Sequence, residues 1–560
     1  MLDRLSAGWR GYALIALITL AAVLPGFASL PVLDRDEARF AQATRQMLET
    51  GDFIRINVQE EARNKKPIGI HWMQAAAVAA TAPITGNLNT IWAYRLPSLL
   101  GVLLAALATF WGGRVLVGAR AALIGACLLP VTLLLATEGI IAKTDAMLCG
   151  LIVLMMAALA RLREGAGAPR GLAVLFWGAL GLGVLVKGPV APMVAALTLL
   201  VLFVWERRAR WMAPLLWAPG PILAALIVMP WFIAIQVATD GAFLREAISV
   251  DLAPKLAAGA EGHAGPPGYH VALLILSFFP ATIGLAPGLV VAWRAIAAPA
   301  NSSAQGGARF LIAWAAPTWI VFELLGTKLP HYVLPVFPAL ALLAGAGLVA
   351  AYEGRWRVSS LVSIALFTIG AALMVALMAY GSTYLPGDGS ADLRRATQTA
   401  LWGGAGALIA LAVVCVARGP MLRVCAAVLF ALASMYVLRE RIAPEARSIM
   451  ISAEAVEALD RAGLARAPLV VAGYRETSLV FMTDTSTRLF GAGQARAAAA
   501  AAQSGGAALV SCSERDVFER ALDERGLRMS TGETIEGLNY ANGDEVCLGV
   551  GEISAHQRQR

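Results

Sequence analysis

Apolar stretches long enough to cross a bilayer, about 17 to 25 residues each, recur along this chain from Tyr12 to Leu438. No other feature narrows the fold so far. Hydrocarbon leaves a backbone only the helix and the closed barrel as ways to satisfy its polar groups, and these runs have helical length. They fall near 11–28, 95–117, 121–137, 145–161, 171–186, 189–205, 214–237, 270–293, 309–326, 332–351, 358–380, 398–417 and 421–438. The chain has 560 residues, 58% hydrophobic and 15% charged, against roughly 25% charged in soluble domains. Its bulk is expected in lipid, which excludes a soluble enzyme, a disordered chain and a disulfide-built miniprotein. Residues 1–28 read as an uncleaved first helix, because Pro31 and a charged run follow them rather than a small-residue cleavage site.

The formal charge of +8 is unevenly placed. From Arg441 to Arg560 there are 13 Arg and no Lys against 16 Asp and Glu, a net of −3, which leaves +11 for the apolar part. That basicity belongs to loops beside a bilayer; neither a disordered basic arm nor a soluble basic stripe with interleaved aromatics is present, so a nucleic-acid face is not expected. Arg114/Arg120, Arg161/Arg163/Arg170, Arg207/Arg208/Arg210, Arg294, Arg355/Arg357 and Arg418/Arg423 fall at every second connection. The positive-inside rule makes those connections cytoplasmic and turns the first long loop, Ser29 to about Pro67, outward. The stretch 68–84 then reads as a membrane-surface or re-entrant helix. The expected fold is an α-helical polytopic membrane domain over 1–440, with about 13 transmembrane helices and an outer loop with membrane-surface helices at 29–94. A small soluble α/β domain over 441–560 follows. In it, 467–474 and 507–512 read as buried strands, 514–525 as a polar-faced helix, and 497–502 as helix or linker.

Of 45 basic residues only six are Lys: Lys65, Lys66, Lys143, Lys187, Lys255 and Lys328. In this topology all six lie on the outer side, while every presumed cytoplasmic loop uses Arg. A compact ammonium kept at one face suits a phosphate-binding point charge. Carboxylates collect there too: Asp34, Asp36 and Glu37, then Glu138 and Asp145, then Asp240, Glu246, Asp251 and Glu261, together with His263, His270 and His331. Ionisable groups at membrane depth are functional candidates by default.

Carboxylates beside ammonium groups suit group transfer from a phosphate-linked donor. The cations hold the leaving phosphate, and a carboxylate accepts or orients the proton of an attacking hydroxyl. A metal, zinc or magnesium, can share the first task; no HExxH or CxxC is present, and His263 with a nearby carboxylate is the candidate ligand. There is no Walker A loop. Because cytosolic nucleotides do not reach the outer side, the expected donor is a lipid phosphate delivered within the bilayer.

The first outer loop reads Arg35-Asp36-Glu37-Ala38-Arg39-Phe40, then Met47, Gly51-Asp52, Lys66-Pro67 and Trp72. It resembles the DExRY…M…GD…EKP…W pattern of the aminoarabinose transferase (ArnT) and protein O-mannosyltransferase group of GT-C glycosyltransferases. Further matches are Thr144-Asp145, Val186-Lys187-Gly188, His263-Ala264-Gly265-Pro266 and Thr327-Lys328-Leu329-Pro330-His331-Tyr332. The resemblance runs through the membrane domain and, more weakly, the tail.

The resemblance implies a GT-C fold, with Asp36 as the main catalytic carboxylate and Asp145 as a second acidic group. Lys66, Lys328 and Tyr332 would surround the donor phosphate, with Lys187 lining the same cavity; Glu37, Arg39, Lys65, Lys255 and His331 are the remaining site candidates. It further implies sugar transfer, with inversion, from a polyprenyl (undecaprenyl) phosphate to a lipid A-type glycolipid or other envelope acceptor on the periplasmic side of a bacterial inner membrane. Two departures stand out. Lys65 replaces the Glu before Lys-Pro, so a Glu–His zinc site built with His263 loses one ligand, and Lys255 stands where the family has Arg. The sugar stays open between aminoarabinose, a uronic acid and a neutral hexose.

The rival readings are a protein O-glycosyltransferase and a lipid or glycolipid transporter. The tail is expected to be chiefly a stabilising appendage, with lid or acceptor contact as the other reading. Cys127, Cys149, Cys415 and Cys425 fall in spans as packing residues, whereas Cys512 and Cys547 lie near tail strands in a disulfide-permitting compartment and are expected to pair.

Overall fold

The computed structural model describes residues 2–33, 35–207, 210–254, 265–297, 303–352, 357–385, 389–417, 419–530, 532–540 and 543–556. Among them, eight helices are long and apolar enough to cross a membrane, beginning with Ile91–Leu116 and ending with Pro420–Glu445. The pair Tyr269–Ser277 and Ala281–Ala297, bent by 104°, makes a ninth if counted as one span. Shorter apolar helices at Trp9–Val23, Ala119–Val131 and Val190–Glu206, and the helix Ser303–Leu324, occupy other places where spans are expected.

Proline explains where the expected runs break. The run 121–137 divides into Ala119–Leu128, a 3-10 turn Leu129–Val131 and Leu133–Glu138; Pro130 sits in the turn, where its missing N–H ends the α-helical ladder. The run 270–293 stops at Ser277 and restarts beyond Pro280, and 214–237 begins as a 3-10 helix, Arg210–Leu216, around Pro214.

Helices Asp145–Arg163 and Pro169–Lys187 form an antiparallel hairpin. A short connection forces the start of one to meet the end of the other, so Asp145 and Lys187 arrive at the same face. Each charge also suits its own helix end, a carboxylate at the N-terminus and an ammonium at the C-terminus. Helix Ile91–Leu116 packs against this hairpin through glycine: a Cβ at Gly150 would lie 2.5 Å from the Gly101 carbonyl oxygen, and one at Gly101 2.5 Å from that of Ala146. Only bare backbone allows so close an approach.

The first loop is well structured. Helix Asp36–Thr50 ends at Gly51, whose φ of 73° closes the last turn. A two-residue ladder follows, β1 (Asn57–Val58) against β2 (Glu61–Ala62), and then helix Gly69–Thr85, the stretch expected as a surface or re-entrant segment.

The tail folds as a six-stranded sheet made of β3 (Leu469–Ala472), β4 (Arg488–Phe490), β5 (Gly506–Ser511), β6 (Leu527–Met529), β7 (Thr534–Asn539) and β8 (Asp544–Ala555). The order is β4-β3-β5-β8-β6, with β7 also paired to β8. Strand alternation builds a core on each face: Leu469, Val471 and Leu509 pack with Ile451 and Leu459, while Val470, Ala472 and Val510 pack with Ala498 and Phe518. Both expected strands are present as β3 and β5, helix Arg515–Asp523 takes the place of the polar-faced run, and Ala495–Ala501 is helical. Cys512 and Cys547 are disulfide-bonded, their Cα atoms 5.5 Å apart. Cys127 and Cys149 are buried and Cys425 half-buried; Cys415, expected to pack, is exposed, because its helix is only 11% buried within the protein.

Candidate active site

Asp36 and Glu37 open the same helix, yet they do different things, because neighbouring helical residues point in different directions. Glu37 is fully buried against Arg95, its two carboxylate oxygens each 2.9 Å from the guanidinium. It also accepts the backbone N–H of Leu33 at 2.8 Å and of Ala142 at 2.7 Å. The remaining Arg95 donors reach the carbonyls of Phe27, Leu30 and Pro31, each at 2.9 Å. This pair ties the first loop, the helix at 91–116 and the 139–144 connection together. Glu37, expected among the site residues, is therefore a clamp with no side-chain oxygen to spare. Arg95 was not singled out from sequence; a charge at the edge of an apolar run was the available signal.

Asp36 faces outward from that clamp. Its carboxylate is 58% exposed and lies 3.6 Å from Arg63, while Arg63 also stacks over Phe40 at 5.2 Å. Beneath it the 139–144 connection delivers a charge cluster. Lys143 is 3.0 Å from Glu138 and 3.7 Å from Asp145; Lys187 donates to Asp145 and lies 5.7 Å from the centre of the Tyr332 ring. The two ring nitrogens of His331 lie 3.8 Å from Glu138 and from Asp145, and Lys66 is near enough to act on His331 electrostatically. Burial alone would lower the pKa of Lys143, but Glu138, Asp145 and more distantly Asp36 outweigh it, so the ammonium is held charged. Asp145 is thus the hub of two ammonium groups, and one oxygen of Glu138, Oε2, is buried with no hydrogen-bond partner.

Above the cluster lies a cavity of about 1630 Å³. Asp36, Arg39, Lys65, Lys143 and His331 line it from the membrane part; Arg475, Thr485, Thr487, Arg488 and Tyr540 line it from the tail. The tail therefore forms one wall of the cavity, which goes beyond a remote appendage. It is seated by polar contacts that composition did not reveal. Arg45 donates to the Phe481 carbonyl at 2.9 Å, Gln42 to Thr485 Oγ1 at 2.8 Å, and Gln59 to the carbonyls of Thr485 and Thr487 at 3.0 and 2.6 Å. Phe481 is fully buried edge-on to Tyr94.

Lys328 stands apart from the cluster. Its ammonium donates to the carbonyls of Glu323 and Leu325 at 2.5 and 2.8 Å, closing its own loop, whereas Tyr332, four residues on, reaches Lys187. Lys255 and His263 lie outside the described residues. Among the described residues there is no group of three or more His, Cys, Asp or Glu arranged to hold a metal ion; Glu138, Asp145 and His331 come together with Lys143 and Lys187 among them.

The family model described as dolichyl-phosphate-mannose-protein mannosyltransferase matches residues 65–233. The undecaprenyl phosphate-alpha-4-amino-4-deoxy-L-arabinose arabinosyl transferase of Edwardsiella ictaluri is 28% identical over 400 residues, 69% of this chain and 68% of that protein. The enzyme of the same name from Erwinia tasmaniensis is 28% identical over 360 residues, 63% of this chain and 62% of that protein, so the match spans a little under two thirds of its length. The crystal structure of ArnT from Cupriavidus metallidurans bound to undecaprenyl phosphate superposes with a TM-score of 0.74 at 20% identity, covering 97% of this chain and 98% of that one. Its apo structure gives 0.72 at 19% identity. Taken with the loop motif around Asp36 and the long helical bundle beneath it, these likenesses make this an ArnT-like chain with the GT-C glycosyltransferase fold.

Proposed function

We propose that this protein transfers a sugar from a polyprenyl phosphate, undecaprenyl phosphate in kind, to a lipid A-type glycolipid or another envelope acceptor. The site and the tail domain face the periplasm of a bacterial inner membrane in this reading, as the placement of Arg and Lys suggests. The observation that carries it is an exposed carboxylate, Asp36, lining one cavity with Lys143, whose ammonium joins the buried cluster of Asp145 and Lys187 behind that wall.

In this reading the donor phosphate sits against the ammonium groups. Lys187 and Lys143 are held in place by Asp145, and Lys143 is held charged by Glu138 and Asp145, with Lys65 on the cavity wall, Lys66 near His331 and Tyr332 against Lys187. The acceptor oxygen attacks the anomeric carbon from the side opposite the phosphate. The bond from that carbon to the phosphate oxygen breaks, its electron pair stays on the polyprenyl phosphate, and the anomeric configuration inverts. Preorganised cations offset the charge that grows on the leaving group, and Asp36 orients the acceptor and takes its proton, a role worth about 10² to 10⁴ in rate. A divalent ion, zinc or magnesium, would supply further charge stabilisation when bound. The description of the matching family model names a protein acceptor, which supports the protein O-glycosyltransferase alternative.

The test is the mass spectrum of envelope lipids from cells with and without the protein. A sugar-sized addition to a glycolipid that appears only with the protein supports transfer, and its mass gives the sugar class. Identical lipid profiles at verified expression remove lipid acceptors and turn the search to glycosylated envelope proteins.

A further inference from the structure

Across the cavity from Asp36, the wall formed by the tail carries two arginines of different standing. Arg475 is already paired, 2.6 Å from Glu61 of the β2 strand. Arg488 is exposed at the start of the edge strand β4 and makes no ion pair with another described residue. Its backbone is nonetheless fixed on two sides: Arg488 is in register with Val470 of β3, and the carbonyl of the preceding Thr487 is held by Gln59 at 2.6 Å. A cation on a rigid base, with its side chain left unspent on a cavity wall, is the arrangement that reads an anion at low ordering cost.

The opposite wall adds to the same field. Arg35 and Arg39 line it and likewise form no ion pair with a described residue, against two lining carboxylates of which the same is true, Glu60 and Glu246, the latter accepting from the Asn64 amide at 3.0 Å. Arg35 also has a φ of 61° and a ψ of −105°. That backbone strain, one residue before Asp36, is the kind that accumulates where a chain is held for function. Lys143 and Lys65, two of the ammonium groups proposed for the donor phosphate, line the cavity from the membrane part, whereas Arg488 lines it from the tail. The two sides therefore suit two different anions.

Resting on the transfer reading above, we infer that the tail domain builds the acceptor side of the site, and that Arg488 is a specificity-determining contact to a phosphate group carried by a glycolipid acceptor. The cavity opens between the tail and a loop braced on the bundle, so a head group whose chains remain in the bilayer reaches both Arg488 and Asp36.

The test is equilibrium binding to the full-length protein in nanodiscs, using lipid A, its enzymatically dephosphorylated form and undecaprenyl phosphate, with wild type, Arg488→Glu and Arg488→Lys. Wild type is expected to bind lipid A roughly tenfold more tightly than the dephosphorylated form, and Arg488→Glu to lose most of that preference. Arg488→Lys is expected to recover part of it, and undecaprenyl phosphate affinity to stay within about twofold in both variants. Unchanged lipid A affinity in Arg488→Glu overturns the inference. So does a parallel loss of undecaprenyl phosphate, which places Arg488 at the donor, or displacement of lipid A by inorganic phosphate alone, which makes the site one for a free anion. Arg488-dependent binding of an acidic peptide in place of lipid A overturns it in favour of a protein acceptor. Failure of wild type to bind undecaprenyl phosphate counts against the transfer reading itself, and lipid A binding is scored separately from it.

Discussion

Glu37 and Asp36 are adjacent carboxylates in one motif, and their environments assign them opposite work. Glu37 meets a buried guanidinium in a bidentate pair and two backbone N–H groups; Asp36 is mostly exposed. Glu37→Gln leaves Arg95 charged and uncompensated in a site with no exposure, a change that costs about 3 to 5 kcal/mol. Thermal unfolding in detergent is expected to show that loss, whereas Asp36→Asn is expected to shift stability by less than about 0.5 kcal/mol. Equal thermograms for the two variants would contradict the assignment. The motif made both residues legible as candidates, but which carboxylate is spent on a buried pair was not legible, because its partner, Arg95, lies 58 residues away in the chain. The same holds for Lys328, whose lysine-poor context marks it out while its bonds to Glu323 and Leu325 emerge only from the folded loop.

At the level of elements, apolar run length located most long helices, since span length is set by bilayer thickness and needs no tertiary information. The breaks at Leu129–Val131 and before Ala281 were not read from the runs 121–137 and 270–293; proline accounts for them once the fold is seen, and the direction of the chain after each break depends on packing. The layer formed by helices Asp36–Thr50 and Gly69–Thr85 was legible only as a loop carrying surface helices. Its core holds His71, fully buried, stacked on Phe40 and 2.8 Å from Thr44 Oγ1, with Nε2 unpartnered. Burial, aided by the charge of Arg63, lowers its pKa to about 3. A histidine with a depressed folded pKa is protonated first in the unfolded state. Its neutral form therefore favours folding fully above the unfolded pKa of about 6.5, and that contribution falls as pH drops toward 3. Between pH 7 and pH 5 this layer is expected to lose about 2 kcal/mol. Hydrogen exchange of residues 36–85 at the two pH values checks it, with faster exchange at pH 5 expected. His71→Phe should flatten the difference, and a pH dependence that survives in that variant would rule His71 out as its source.

For the whole molecule, the tail sheet and the membrane bundle are one working unit because the segment 481–488 is bonded to the first loop by Arg45, Gln42 and Gln59. Strand pattern and cysteine placement made the α/β tail legible. Its seat was not, because apart from the Thr485 hydroxyl it depends on backbone carbonyls that every sequence possesses. A chain ending after residue 445 leaves the Arg45 guanidinium without those carbonyls and Tyr94 without Phe481. Such a chain is expected to insert in the membrane, to be cut by protease within 36–67, and to lose transfer; protection equal to that of the full chain would show that the tail does not brace the loop. In the proposed division of roles, Asp36 acts on the acceptor while the hub of Lys143, Asp145 and Lys187 holds the donor. The most direct test of that division is a comparison of wild type and Asp36→Asn as purified proteins, measuring undecaprenyl phosphate binding and the rate of sugar transfer on the same samples. Binding is expected to stay within about twofold and transfer to fall by about 10² or more. Transfer by Asp36→Asn at near the wild-type rate, or loss of binding and transfer in equal measure, would contradict it.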